Sequence, residues 1–243
     1  MSTTTQITTV GFLDAIKRWR LANQGLSSGK KRRVHSENPV IQALEDSLWV
    51  KISLYATFVV GSAVLVLKSS DGTAFANEPL KGSIYAFVIA VTAIVMFQVS
   101  LQTSCRRNSR VMLVLGGLMV HLLTVRVMMG LVTTGAIPEV FRFFVVPFAL
   151  APMLHGFLLG RAVASFSAVY VTLIGCLLVP QPDVLSYMIL SLASGMTSVL
   201  LAYQVRKRIQ LLQAGIYVGA VTLVVGLALG RLNIAACFGP DAM

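Results

Sequence analysis

The sequence predicts an all-α protein, a polytopic helical bundle that crosses a membrane about seven times with its N-terminus in the cytoplasm. Three observations carry that prediction. The chain is 56% hydrophobic and only 12% charged, with a mean hydropathy of +0.80, so it is too apolar to be solvated mainly by water. Seven apolar stretches approach the roughly 20 residues that a helix needs to cross the hydrocarbon core. The basic residues, finally, concentrate in alternate loops.

The seven stretches are 50–67, 83–101, 111–132, 143–159, 162–179, 184–203 and 212–229. None alternates in polarity as a barrel strand does. Unpaired backbone amides are costly in lipid, so helices are the remaining way to satisfy them. These spans define a membrane domain over 39–232, preceded by a basic cytoplasmic segment, 1–38, and followed by a short extracytoplasmic tail, 233–243.

Orientation follows from counting Lys and Arg near the spans. One side holds Lys17, Arg18, Arg20, Lys30, Lys31, Arg32, Arg33, Lys51, Arg106, Arg107, Arg110, Arg161, Arg206, Lys207 and Arg208, fifteen in all. The other holds Lys68, Lys81, Arg142 and Arg231, and Arg126 lies inside a span. Fifteen against four puts the N-terminus inside, and seven crossings put the C-terminus outside. The same sorting, with attraction to anionic lipid, accounts for the net charge of +11 without a nucleic-acid partner, including the Lys30–Arg33 run.

Within 1–38, residues 10–21 set Phe12, Leu13, Ile16 and Trp19 at helical spacing against Lys17, Arg18 and Arg20, the pattern of an amphipathic helix lying at the interface. A Gly- and Ser-rich linker, 23–37, follows. Asn38-Pro39 then reads as a helix start, from which one helix is expected to run through the first span. No cleavable signal peptide is evident, because about fifty residues precede the first apolar run. Cys105, Cys176 and Cys237 are far apart and form no CxxC pair, so neither a disulfide framework nor a zinc site is indicated.

Ionisable side chains within spans are expensive to bury and are therefore candidates for function. They are His121 and Arg126 in the third stretch and His155 in the fourth. His121 and Arg126 stand about 140° apart on a helix and do not face one partner. Arg126 has two readings: snorkelling or a structural contact, and an ion or ligand pathway. In the fourth stretch, Pro147 and Pro152 deprive the carbonyls of Phe143 and Phe148 of their helical donors, which points to a kink, and a binding crevice at that kink is the alternative. Small residues recur at spacing four, as Gly156 and Gly160, Ser191 and Gly195, Gly215 and Gly219, and Gly226 and Gly230. Such pairs let helices approach closely, which would make the fourth, sixth and seventh helices interior.

Catalytic constellations are missing from the sequence. Residues 25–31 (GLSSGKK) fall one residue short of a phosphate loop and lack its final Ser/Thr, and there is no GxSxG or HExxH. None of the nine acidic residues is near the middle of a span. The chain itself is expected to be no enzyme and to carry no cofactor.

The block 143–229 resembles the membrane region of bacterial seven-transmembrane proteins that carry an intracellular HD phosphohydrolase domain. The resemblance rests on Pro147, Ala149, Ala151, Pro152 and Met153, on the corner Leu159-Gly160-Arg161, and on a basic clip (Val205, Arg206, Lys207, Arg208) followed by Leu211, Leu212, Ala214 and Gly215. It implies a bacterial inner-membrane sensor or anchor that governs a cytoplasmic metal-dependent hydrolase of cyclic di-AMP. The partners it implies are the lipid bilayer and either a second copy of the chain or that hydrolase.

Departures from the pattern are clear. No His precedes Asp, since His35, His121 and His155 are followed by Ser36, Leu122 and Gly156, so the HD divalent-metal site is expected to lie elsewhere. Only fifteen residues, 68–82, stand where many members place an extracellular domain. An incomplete member lacking its hydrolase and a stand-alone membrane module both fit. A small permease and a structural scaffold are the readings from other classes. A reporter fused after Met243 is expected to be active only outside the cytoplasm, and one fused after Arg208 only inside; the reverse pattern would overturn the seven-span count.

Overall fold

The computed structural model describes residues 44–45, 47–67, 78–102, 105, 107–202 and 208–231. The chain divides into two units, Met1–Ile41 and Gln42–Met243, and every described residue belongs to the second. The expected amphipathic helix at 10–21, the linker 23–37, the helix start at Asn38-Pro39, the tail 233–243, Cys237 and the clip residues Arg206 and Lys207 lie outside the described residues.

Among the described residues the fold is helical throughout, with no strand. We number the helices α1 (Leu48–Leu67), α2 (Pro79–Ser100), α3 (Asn108–Thr133), α4 (Arg142–Val145), α5 (Leu150–Leu158), α6 (Arg161–Gly175), α7 (Val184–Ala202) and α8 (Arg208–Ala228). Three 3-10 turns, Glu139–Phe141, Cys176–Leu178 and Gln181–Asp183, sit at their junctions. Five segments are long and apolar enough to cross a membrane: Leu48–Leu67, Pro79–Ser100, Asn108–Thr133, Arg161–Leu178 and Gln181–Leu201. The other two expected spans are shorter apolar helices, Arg142–Leu158 and Leu212–Ala228.

Helix α2 turns Gly82, Ala86, Ala90, Ala93 and Phe97 inward, all buried, and lies against α1. Small side chains at this spacing let two backbones approach closely where no escape from water drives association. Ser83 Oγ adds a hydrogen bond to the Ala63 carbonyl at 3.2 Å. Helix α3 packs on α1 and α5, and α6 on α5 and α7. Hydroxyl pairs stitch the last three helices: Thr172 on α6 to Ser191 on α7 at 2.7 Å, and Ser194 on α7 to Thr222 on α8 at 2.7 Å. Bonds of this kind contribute on average about 0.6 kcal/mol each in a membrane.

The expected single helix from Pro39 through the first span is interrupted, because Ser47 is non-helical and α1 begins at Leu48. The Asn108 side-chain amide donates to the carbonyls of Leu44 and Ser47 at 3.0 and 2.7 Å, which ties this entry to the start of α3. Glu45 accepts from Ser109 Oγ at 2.7 Å, and Lys51 Nζ donates to the Cys105 carbonyl at 2.9 Å. Burial pushes the Cys105 thiol above its ordinary value against a smaller pull from Lys51, so it is a poor nucleophile.

At the opposite end three connections meet on Asp183, which is only 3% exposed. Pro138 and Pro180 each begin a 3-10 turn, and these turns deliver Arg142 and Asp183. Gly230, at φ +64°, ends α8 in a left-handed conformation open to glycine, and Arg231 N–H folds back to the Gly226 carbonyl at 3.1 Å. Arg142 Nη1 bonds Asp183 Oδ2, and Arg231 Nη1 lies 2.6 Å from Asp183 Oδ1. Arg231 also donates to Ser186 Oγ at 3.0 Å and to the Pro182 carbonyl at 2.7 Å, while Arg142 reaches Glu139 at 3.1 Å.

Replacing Asp183 with Ala leaves two guanidinium groups facing each other without their acid and is expected to cost about 3–5 kcal/mol. Lys81→Ala, which breaks an exposed pair with Glu78, is expected to stay within about 0.5 kcal/mol. Unfolding of the purified chain in detergent measures both.

Candidate functional site

The fourth expected span is where the structure departs most from a plain helix. A kink was expected at its prolines, and the helix is instead broken. Val146, which precedes Pro147, is extended at φ −76° and ψ 118°, because the proline ring crowds the helical conformation of the residue before it. Phe148 and Ala149 form a turn, in which Phe148 N–H bonds the Val146 carbonyl at 2.9 Å and Leu150 N–H bonds the Pro147 carbonyl at 3.0 Å. Pro152 falls in the first turn of α5, where a missing N–H costs little.

The break releases backbone groups. Pro147 and Pro152 leave the carbonyls of Phe143 and Phe148 without their usual donors, and the redirected Phe148 N–H does the same for Phe144. Among the described residues no bond from another element replaces these, and the N–H of Ala149 has no acceptor. Non-helical backbone at membrane depth is tolerated where it is buried in protein or lines a cavity.

One released donor is met from outside the helix. Ala151 N–H, near the start of α5, donates to Nδ1 of His121 on α3 at 3.3 Å. The lone pair of Nδ1 is thereby committed, so the neutral ring carries its hydrogen on Nε2, which is buried without a partner among the described residues. One turn earlier on α3, Gly117 makes room for the ring of His155. That ring contacts the Leu113 carbonyl through Nε2 at 3.2 Å and Ser167 Oγ of α6 through Nδ1 at 2.5 Å. Ser167 in turn donates to the Val163 carbonyl at 2.9 Å. Both histidines are fully buried, and they join α3, α5 and α6. The His155 carbonyl also closes α5, accepting from Leu159 and Gly160 at 2.8 and 3.1 Å, and Gly160 at φ +97° turns the corner into α6.

A groove of about 490 Å³ runs between the broken helix and α8. Its walls are Phe144, Val146, Pro147, Phe148, Ala149, Leu150, Met153, Leu154 and Phe157 on one side and Gly215, Val218, Gly219 and Thr222 on the other. The Thr222 hydroxyl is turned to Ser194, so the unmet polar groups in the wall belong to the backbone. Tyr187 meets Phe148 in a tilted ring contact, with centroids 5.4 Å apart and planes at 59°.

The expected packing role of Gly215 and Gly219 is corrected. A Cβ at either would meet nothing within 4 Å, because both form the open floor of the groove. Helix α8 is accordingly peripheral, with Leu212, Ile216, Tyr217 and Val224 exposed. Gly195 does sit close to a neighbour, with Ala168 Cβ 3.1 Å from the place of its own Cβ, and Gly156 is buried. Arg126 is partly buried on α3 and makes no hydrogen bond or ion pair among the described residues. Of the clip, Arg208 is the first residue of α8. The Asp183 centre was not foreseen, since nothing local links an acid to arginines so far along the chain.

The geometry is that of a multi-pass helical membrane protein with a broken helix beside a groove. The family described as 7TM receptor with intracellular HD hydrolase matches residues 78–238, about two thirds of the chain, and the chain belongs to that family. No curated protein and no solved structure matches it. The HD name implies a divalent metal, and the described residues do not fit one: no three His, Cys, Asp or Glu side chains come together, and the two buried histidines are engaged with backbone and serine.

Gly116 and Gly117 offer a direct test of the histidine seat. Gly117→Ala drives a methyl group into the His155 ring and is expected to destabilise by about 1–3 kcal/mol. Gly116→Ala meets open space and is expected to stabilise by up to about 1 kcal/mol through helix propensity. Thermal or denaturant unfolding of the two variants should separate them in sign.

Proposed function

We propose that this chain is the membrane-embedded sensor region of a receptor that governs an HD hydrolase. The observation that carries the reading is the family match across 78–238, which falls on a bundle whose interrupted helix borders a groove. In this reading the chain crosses a bacterial inner membrane seven times, with its N-terminus in the cytoplasm. The excess of fifteen basic residues over four supports that orientation. Pairing strengthens it: of the four on the sparse side, Lys81 meets Glu78, while Arg142 and Arg231 meet Asp183.

The signal would act by shifting α5 or α8, the elements that wall the groove, and the output would be the cyclic di-AMP hydrolysis expected from the resemblance. Hydrolysis itself lies outside residues 1–243, because their sequence has no His-Asp pair. Purified chain supplied with manganese is therefore expected to leave cyclic di-AMP intact, and measurable cleavage would overturn this division of labour.

A transport reading also has one observation in its favour, the broken helix, since interrupted helices often build substrate sites in transporters. Solute flux into liposomes that contain the chain, absent from empty liposomes, would favour it over the sensor.

A further inference from the structure

Among the described residues, Arg126 is the one cation set deep within a helix, well past the first turn of the 26-residue α3. It is partly exposed and makes no hydrogen bond or ion pair among those residues. The described acids are engaged elsewhere: Glu45 with Ser109, Glu78 with Lys81, Glu139 with Arg142, and Asp183 with Arg142 and Arg231. A guanidinium at membrane depth without a counter-charge is costly, so its anion comes from outside the described helices.

The surroundings of Arg126 narrow the choice of anion. A helix of this length runs about 39 Å against a hydrocarbon core of about 30 Å, which leaves the Arg126 backbone about 7 Å below the boundary of a centred helix, near enough for its side chain to snorkel. Gly130 stands one turn nearer the helix end on the same face, and a Cβ there would meet nothing within 4 Å, so no side chain at that position bars the path. Past it, the exposed Thr133 and Thr134 set their hydroxyls on the Gly130 carbonyl at 2.9 and 3.1 Å. Leu123 and Val127, beside Arg126, are exposed and apolar. The face therefore offers one unpaired cation at the edge of a lipid-facing surface. Its complement is an amphiphile with an anionic head, and a guanidinium matches phosphate oxygens in particular.

We propose that Arg126 holds the phosphate of one anionic phospholipid, in the leaflet met by the C-terminal end of α3, with its guanidinium running over Gly130 and the acyl chains along Leu123 and Val127. The proposal requires only that the chain lies in a bilayer. It stands or falls independently of any hydrolase or transport result.

Delipidated full chain in mild detergent, offered phosphatidylglycerol and phosphatidylcholine with the same acyl chains, is examined by native mass spectrometry. The first phosphatidylglycerol is expected to bind about tenfold more tightly than phosphatidylcholine, the scale of one charge-assisted pair. Arg126→Gln is expected to abolish that margin. Gly130→Leu, which places a side chain across the path, is expected to do the same and reports on the site should Arg126→Gln not fold. Lys81→Gln removes an equal charge from an exposed pair with Glu78 and should leave the margin unchanged. A margin that survives Arg126→Gln, as would follow if the basic residues of the other side drew the lipid, overturns the proposal. So does an equal loss in Lys81→Gln, which would point to net charge alone, or no margin in the unaltered chain, as would follow if an acid of another segment paired with Arg126.

Discussion

One buried carboxylate, that of Asp183, holds together three connections of the bundle that are far apart in sequence. Its two oxygens take Arg142, at the start of the broken helix, and Arg231, just past α8, while its own turn leads into α7. Burying a charge is expensive, and this one is offset by two charge-assisted contacts. The arrangement has a structural consequence. The broken helix and α8 form the two walls of the groove, and the clasp fixes the start of one and the end of the other on a shared post.

The second constraint comes from backbone hydrogen bonding in lipid. Two prolines five residues apart remove donors that a membrane helix cannot easily replace. The fold responds by ending one helix at Val145, turning through Phe148 and Ala149, and starting another at Leu150. Part of the debt is met by His121, which reaches from α3 to the first turn of α5. His155 anchors the same helix further along, seated against Gly117. With both histidines in these roles, the intramembrane imidazoles serve as ties between helices.

Much of this was legible from composition and spacing, and the reasons differ by element. Hydropathy located α1, α2, α3, α6 and α7 because a long apolar run has one low-energy form in lipid. Gly160 was readable as a corner, and its positive φ shows why a glycine stands there. The glycine pair at 215 and 219 misled, since spacing reveals that a backbone is bare without revealing what lies opposite. The alanine stripe on α2 carries the same kind of signal and does pack. Asp183 was beyond reach: its partners are brought to it only by the completed bundle, and no local pattern marks them.

The central claim is that α8 is held to the broken helix through Asp183. Spin labels on cysteines replacing Phe144 and Leu223, two exposed sites, in a chain cleared of its native cysteines, would report the distance across the groove in nanodiscs. The account predicts a narrow distance distribution that broadens and shifts outward when Asp183 is changed to Ala. An unchanged distribution in that variant would contradict it.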